Sequence, residues 1–176
     1  MQLFSSILSS QYVYYGIGDL EAKSRSNKVK REMENYRDYY HPLPTFDFNI
    51  PEGWTIIQRD NETKSYMLGH NSLAGILFAT GHRINAINEL ITESNKGLSA
   101  NGINLVVDGD LNYYDSDGIE VNYKGLYNGV QIKGYAISKI GPKGGGVTLL
   151  IMCNENLFTY EHKVVIQKIA RELKYY

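Results

Sequence analysis

A chain of 176 residues with a formal net charge of −1 and one cysteine, Cys153, is already bounded. The length gives one domain plus an extension, able to hide roughly 70% of its extended-chain surface without staples. The near-zero charge removes the global electrostatic case for nucleic acid, the single cysteine excludes an intrachain disulfide, and no run approaches the ~18 apolar residues of a membrane helix.

Met1–Tyr15 places Leu3, Phe4, Ile7, Leu8, Tyr12 and Tyr15 at helical spacing, a short amphipathic helix. As a signal peptide it is poor: it lacks an early Lys or Arg, and Ser5-Ser6 and Ser9-Ser10 split its apolar residues. The expectation is a cytoplasmic protein; the alternative is an exported one whose signal is absent or removed. After Gly16 and Gly18, Asp19 caps a second helix running to about Tyr40, with Val29, Met33, Tyr36 and Tyr40 as a one-sided stripe. Lys23, Arg25, Lys28, Lys30 and Arg31 read as a solvated helix face, balanced by Glu32, Glu34 and Asp38. No comparable second patch supports a nucleic-acid partner.

Pro42-Leu43-Pro44 cannot sit inside a helix. The boundary falls there: a helical leader and linker over 1–44, and an α/β domain over 45–176. The domain opens with a strand over Thr45–Ile50, the Pro51-Glu52-Gly53 turn, and a strand over Trp54–Arg59. Strands over Ser65–Gly69 and Ala74–Thr80 follow. The second is almost wholly apolar and reads as a central strand covered on both faces. Ile84–Leu98 is predicted as a helix with Ile84, Ile87, Leu90, Ile91 and Leu98 on one face and Gly97 near its stop.

From Gly102 the period becomes two. Ile103–Asp115, Ile119–Tyr127, Val130–Ile140 and Val147–Cys153 read as a four-strand meander, with Asp117-Gly118 and Asn128-Gly129 as tight hairpin turns. Phe158–Lys174 closes the chain as an amphipathic helix, with Asn156 as its candidate cap. This order of elements is α+β, an antiparallel sheet covered by helices.

The residues that carry chemistry form no recognised set. His41, His70, His82 and His162 lack metal-ligand spacing. Cys153 lies in an apolar run and reads as a small buried hydrophobe; a catalytic role would need a histidine beside it. Asp108, Asp110, Asp115, Asp117 and Glu120 form an acidic cluster. As a calcium loop it fails, because with Gly118 sixth the first position is Tyr113 and the twelfth Lys124. The Gly141–Gly146 run is followed by a strand rather than the helix a phosphate loop requires. No G-x-S-x-G, H-E-x-x-H or G-x-G-x-x-G is present. Fifteen tyrosines, several as adjacent pairs such as Tyr113-Tyr114 and Tyr175-Tyr176, suit protein recognition, with one member of each pair facing in and the other out.

The opening Phe48-Asn49-Ile50-Pro51-Glu52-Gly53-Trp54 resembles the F-x-x-P-x-G-W start of the Mog1/PsbP-like domains, a superfamily that includes bacterial DcrB-like proteins. The later order agrees: a helix after the early strands, a meander with small residues at Gly134-Tyr135-Ala136, a glycine-rich turn, a last strand and a C-terminal helix. The resemblance covers Thr45–Tyr176. It implies an α/β/α sandwich around a central antiparallel sheet and a non-enzymatic accessory or chaperone-like module that binds another protein, with no catalytic set and no cofactor. The expected anchor or interaction residues are Trp54, Tyr113, Tyr114, Tyr175 and Tyr176, with another protein or a second copy of the chain as partner. The alternative is a small-molecule or metal-ion-binding protein, or an unrecognised hydrolase, using the acidic cluster around Asp108–Asp117.

Overall fold

The computed structural model describes residues 43–62, 64–100 and 103–176. The leader readings over 1–42, including the stripe from Val29 to Tyr40 and the tyrosine pairs Tyr14-Tyr15 and Tyr39-Tyr40, lie outside the described residues.

The elements are β1 (Phe46–Asp47), β2 (Trp54–Asp60), β3 (Ser65–His70), β4 (Ile76–His82), α1 (Ile87–Asn95), β5 (Leu98–Ala100), β6 (Ile103–Val107), β7 (Asn112–Asp115), β8 (Gly118–Tyr127), β9 (Val130–Ile140), β10 (Gly146–Asn154), a 3-10 turn (Glu155–Leu157), α2 (Tyr160–Glu172) and β11 (Lys174–Tyr175). The main sheet runs β2-β3-β4-β10-β9-β8-β6-β5, and every pairing in it is antiparallel. Two meanders meet where β10 pairs with β4, so the last strand of the sheet closes against the first group. This is the expected α+β sandwich.

Strand alternation sends residues to two cores. On one face Trp54, Leu68, Leu77, Tyr135, Ile137, Leu149 and Ile151 meet Ile166, Ile169 and Ala170 of α2. On the other Met67, Phe78, Leu150, Val121 and Tyr123 form a second cluster that includes Leu90 of α1. The predicted helix Ile84–Leu98 shortens to Ile87–Asn95: Leu90 is buried with Ile87 and Ile91 partly buried beside it, but Ile84 precedes the helix and Leu98 belongs to β5, while on α2 the predicted Ile166, Ile169 and Ala170 are buried.

Several boundaries differ from expectation for physical reasons. The first strand shrinks from Thr45–Ile50 to Phe46–Asp47, because its partner is the two-residue β11. Ile103–Asp115 is two strands, broken at Asp108-Gly109-Asp110, where Gly109 takes φ +88°; β6 and β7 both pair with β8, at different ends. The Asp117-Gly118 reading also shifts. Asp115 pairs with Gly118, so the loop is Ser116-Asp117, tied by the Asp115 carboxylate accepting from the Asp117 amide at 3.0 Å. Asn128-Gly129 is the expected turn, with φ of 47° and 78°. The last helix begins at Tyr160. Its cap is Thr159 rather than Asn156, and Asn154 instead caps the 3-10 turn by accepting from the Asn156 amide.

Candidate functional site

Two turns distant in sequence converge beside α2. The first is Pro51–Trp54, closed by the Trp54 amide donating to the Pro51 carbonyl at 3.1 Å. Gly53 takes φ +81° there, and a Cβ on it would lie 2.3 Å from Nε2 of His70. Only glycine satisfies both the backbone and the space. The second turn, His70–Leu73, is held by His70 itself: its Nδ1 accepts from the amides of Ser72 at 3.0 Å and Leu73 at 2.7 Å. That leaves the neutral ring's proton on Nε2. The Asn71 amide then donates to the Gly53 carbonyl, joining the two turns. The third wall is the Glu161–Val165 stretch of α2. Together they enclose a groove of about 470 Å³.

Trp54 forms part of the groove wall and is only 5% exposed, with its ring edge-on to His70 at 5.2 Å. It is thus a core anchor that also shapes a surface feature. Apolar side chains on the nearby elements remain exposed: Ile50 just before Pro51, Ile56 on the same side of β2 as Trp54, and Tyr160 and Val164 one turn apart on α2. β2 is an edge of the main sheet. Its ladder with β3 is interrupted by a bulge between Ile56 and Gln58, and Ile57 lies over Gly69 on the opposite face. The rim carries Glu52 and Glu161.

The other expected site residues lie elsewhere. Tyr113 and Tyr114 alternate as predicted: Tyr113 is exposed, while Tyr114 is half-buried with its hydroxyl 3.5 Å from the Gln167 carbonyl. Tyr114 is on the β7 side of α2 and Trp54 on the β2 side, because α2 lies over β9 and β10. Tyr175 is half-buried against Gly141, and Tyr176 is exposed with its amide donating to the Thr45 carbonyl. Burial, followed by the charges of Asp115 and Asp117, pushes the Tyr175 phenol up from its ordinary range. These four tyrosines and Trp54 do not form one surface.

The acidic residues are dispersed as well. Asp108 pairs with Lys124 at 2.8 Å, and that ammonium holds its carboxyl below the usual range. Asp115 pairs with Lys139, and Glu120 accepts from the Tyr135 hydroxyl at 2.6 Å. Among the described residues no group of three or more His, Cys, Asp or Glu is placed to hold a metal ion. None of the described helices is long and apolar enough to cross a membrane.

One pairing was invisible in the sequence. Cys153 Sγ lies 3.6 Å from Nε2 of His162. It is nevertheless no nucleophile–base pair. His162 Nε2 donates to the Ala74 carbonyl at 2.6 Å, while its Nδ1 accepts from the Thr159 amide at 3.0 Å, so neither nitrogen is available as a base. Burial pushes the thiol up to about 11, the opposite of an activated cysteine. His162 is a capping residue, and its contact with the thiol is packing.

Comparisons with known proteins concern the fold. No family model matches the chain, and no curated protein is similar to it. Three solved structures are similar to it. One is a Bacteroides thetaiotaomicron protein, at 13% identity and TM-score 0.49; 74% of this chain is covered, and the chain spans 45% of that one. LpqN of Mycobacterium tuberculosis, described as involved in cell envelope biogenesis, is 16% identical with TM-score 0.48, covering 76% of this chain and 85% of LpqN. Cyanobacterial PsbP from Synechocystis is 11% identical with TM-score 0.48, covering 74% and 86%.

Proposed function

We propose that the chain is a non-enzymatic accessory module that binds another protein at the Trp54 groove and the adjoining β2 edge. The observation that carries this reading is a groove lined by the buried Trp54 and the exposed Val164, with exposed Ile50 directly before its Pro51 wall, exposed Ile56 two residues along β2 from Trp54 and exposed Tyr160 one turn before Val164 on α2. Exposed apolar side chains grouped around a concavity favour a protein partner. The groove's two carboxylates favour a partner segment with a basic residue flanking its apolar anchor. An edge strand adds main-chain donors and acceptors to the same surface. The acidic cluster supplies no comparable support for ion binding or hydrolysis, since Asp108, Asp115 and Glu120 are each engaged by a different neighbour.

The test is retention of a partner from native extract on three immobilised full-length chains: wild type, Val164→Asp and Tyr113→Asp. The expected result is a protein retained by wild type and Tyr113→Asp and lost with Val164→Asp. Retention unaffected by Val164→Asp removes the groove from the interaction, and no retained protein on any chain removes the proposal.

A further inference from the structure

The β8–β9 hairpin turns on two residues, Asn128 and Gly129, and the backbone that this turn demands also sets up a reaction. Both residues are exposed and take φ of 47° and 78°. The ladder closes immediately before them, at Tyr127 opposite Val130. Among the described residues neither the Asn128 side chain nor the Gly129 amide has a hydrogen-bond partner. A Cβ on Gly129 would meet nothing within 4 Å, so the space beside that amide is open. No other described asparagine combines these features. Asn85 and Asn154 hold their side-chain oxygens on the backbone amides of Gly145 and Asn156, and Asn122 accepts from Lys163. Each described asparagine other than Asn128 also precedes a residue whose Cβ crowds the following amide nitrogen.

We propose that Asn128 is a self-acting modification site, at which the side-chain amide is exchanged for a carboxyl with water as the only co-reactant. The Gly129 nitrogen bonds to Cγ of Asn128, and its proton leaves with the side-chain nitrogen as ammonia, closing a cyclic imide. Water then adds to one of the two imide carbonyls and the C–N bond there breaks. The nitrogen regains a proton, the carbon becomes a carboxylate, and the second proton of the water is released. Opening at Cγ gives aspartate with the chain length unchanged. Opening at the main-chain carbonyl of residue 128 gives isoaspartate, whose main chain runs through Cβ and Cγ. The turn and the reaction share one cause: glycine supplies the positive φ that folds the hairpin and leaves its nitrogen unshielded. The two products differ in what they do to the fold. Aspartate is accepted at positive φ in a turn of this type. Isoaspartate adds a main-chain carbon to a two-residue loop beside the Tyr127–Val130 pair, and so strains the register from the tip inward. Leu126 and Val130, both exposed, are the first residues affected. The Trp54 groove is built from other elements, so this site is independent of the protein-binding reading.

The test ages the folded full-length chain in warm neutral buffer and maps each asparagine by peptide mass spectrometry, with fragmentation that separates isoaspartate from aspartate. Asn128 is expected to convert about tenfold faster than Asn104 or Asn122, whose following residues carry side chains. The peptide map also resolves Asn101-Gly102, the same dipeptide, which lies outside the described residues. Conversion confined to Asn101, conversion at Asn128 no faster than at Asn122, or conversion at Asn128 only when the chain is unfolded in urea overturns the proposal. A second measurement reads the consequence for the hairpin. Asn128→Gly keeps a residue suited to positive φ and removes the reacting amide. On ageing, the Leu126 and Val130 amides are expected to lose hydrogen-exchange protection in wild type and to keep it in Asn128→Gly. Equal loss in the two proteins overturns the link between the modification and the register.

Discussion

On the α2 face, polar groups gather at the rim. The Tyr135 hydroxyl donates to Glu120 and accepts from Gln167 at 3.4 Å, while Lys163 stands 5.0 Å above the same ring and donates to Asn122. Burial and then the Glu120 bond push that phenol up, but its partners reach water. On the α1 face a polar chain runs through the interior instead. His82 Nε2 lies 2.7 Å from Thr148 Oγ1, which lies 2.6 Å from Ser138 Oγ, and all three residues are buried. Burial alone drives the His82 pKa to about 4. The contrast separates two ways of managing polarity in one sheet. A rim group keeps its charged neighbours because solvent screens them, whereas an interior group must stay neutral. Sensitivity to pH belongs to the α1 face and sensitivity to packing to both.

The largest expected effect tests the packing of the α2 face. Trp54→Ala should cost ~3–5 kcal/mol in urea unfolding, since it empties a buried site against His70 and α2. A cost under ~1 kcal/mol would mean that the indole contributes to the groove alone. The next tests the α1 face. His82 titrates near 6.5 when unfolded and about 4 when folded, so its contribution is complete above pH 6.5. As pH falls from 6.5 to 4, the unfolded chain takes up a proton that the native chain refuses, and about 3 kcal/mol is lost. About 2 kcal/mol of that is gone by pH 5, before most carboxylates titrate. Unfolding midpoints at pH 7 and pH 5 should therefore differ in wild type and converge in His82→Gln; parallel pH slopes in the two proteins would contradict the assignment. Smaller again is Gly53→Ala, about 2 kcal/mol, from the positive φ and the displaced His70 ring. Its thermal shift should be accompanied by loss of the His70 ring's NMR signature, whereas a shift without it would place the strain in the backbone alone. Last, Thr159→Ala should cost about 1 kcal/mol by uncapping α2, measured as a lower melting temperature with the α1 side's pH response unchanged.

The sequence carried the fold wherever a local signal was sufficient. Asn128-Gly129 demands two positive φ values, so β9 appears at its predicted bounds, Val130–Ile140. Leu90 in α1 and Ile166, Ile169 and Ala170 in α2 follow from the 3.6-residue period. The signals failed where pairing partners decided the outcome. Thr45–Ile50 alternates like a strand along its length, yet β11 is only two residues long. Asp108-Gly109-Asp110 holds turn residues that the surrounding period-two pattern masked, which is why Ile103–Asp115 was read as one strand. The groove was less legible still. Trp54 stood out in the sequence, but its walls come from 51–54, 70–73 and 161–165, and no local pattern announces that they meet. The proximity of Cys153 and His162 was equally hidden, and the hydrogen bonds that make it inert exist only in three dimensions.

The bulge at Ile57 has a consequence for how large any assembly can grow. An uninterrupted seven-residue edge could template another strand along its whole length, and repeated pairing of that kind leads to filaments. The bulge divides β2 into two short runs, Trp54–Ile56 and Gln58–Asp60, that no straight strand can follow together. Backbone pairing is thus rationed to about three residues at a time, too little to hold a partner unaided. Selectivity then passes to the side chains beside the first run, and polymerisation is suppressed by one extra residue.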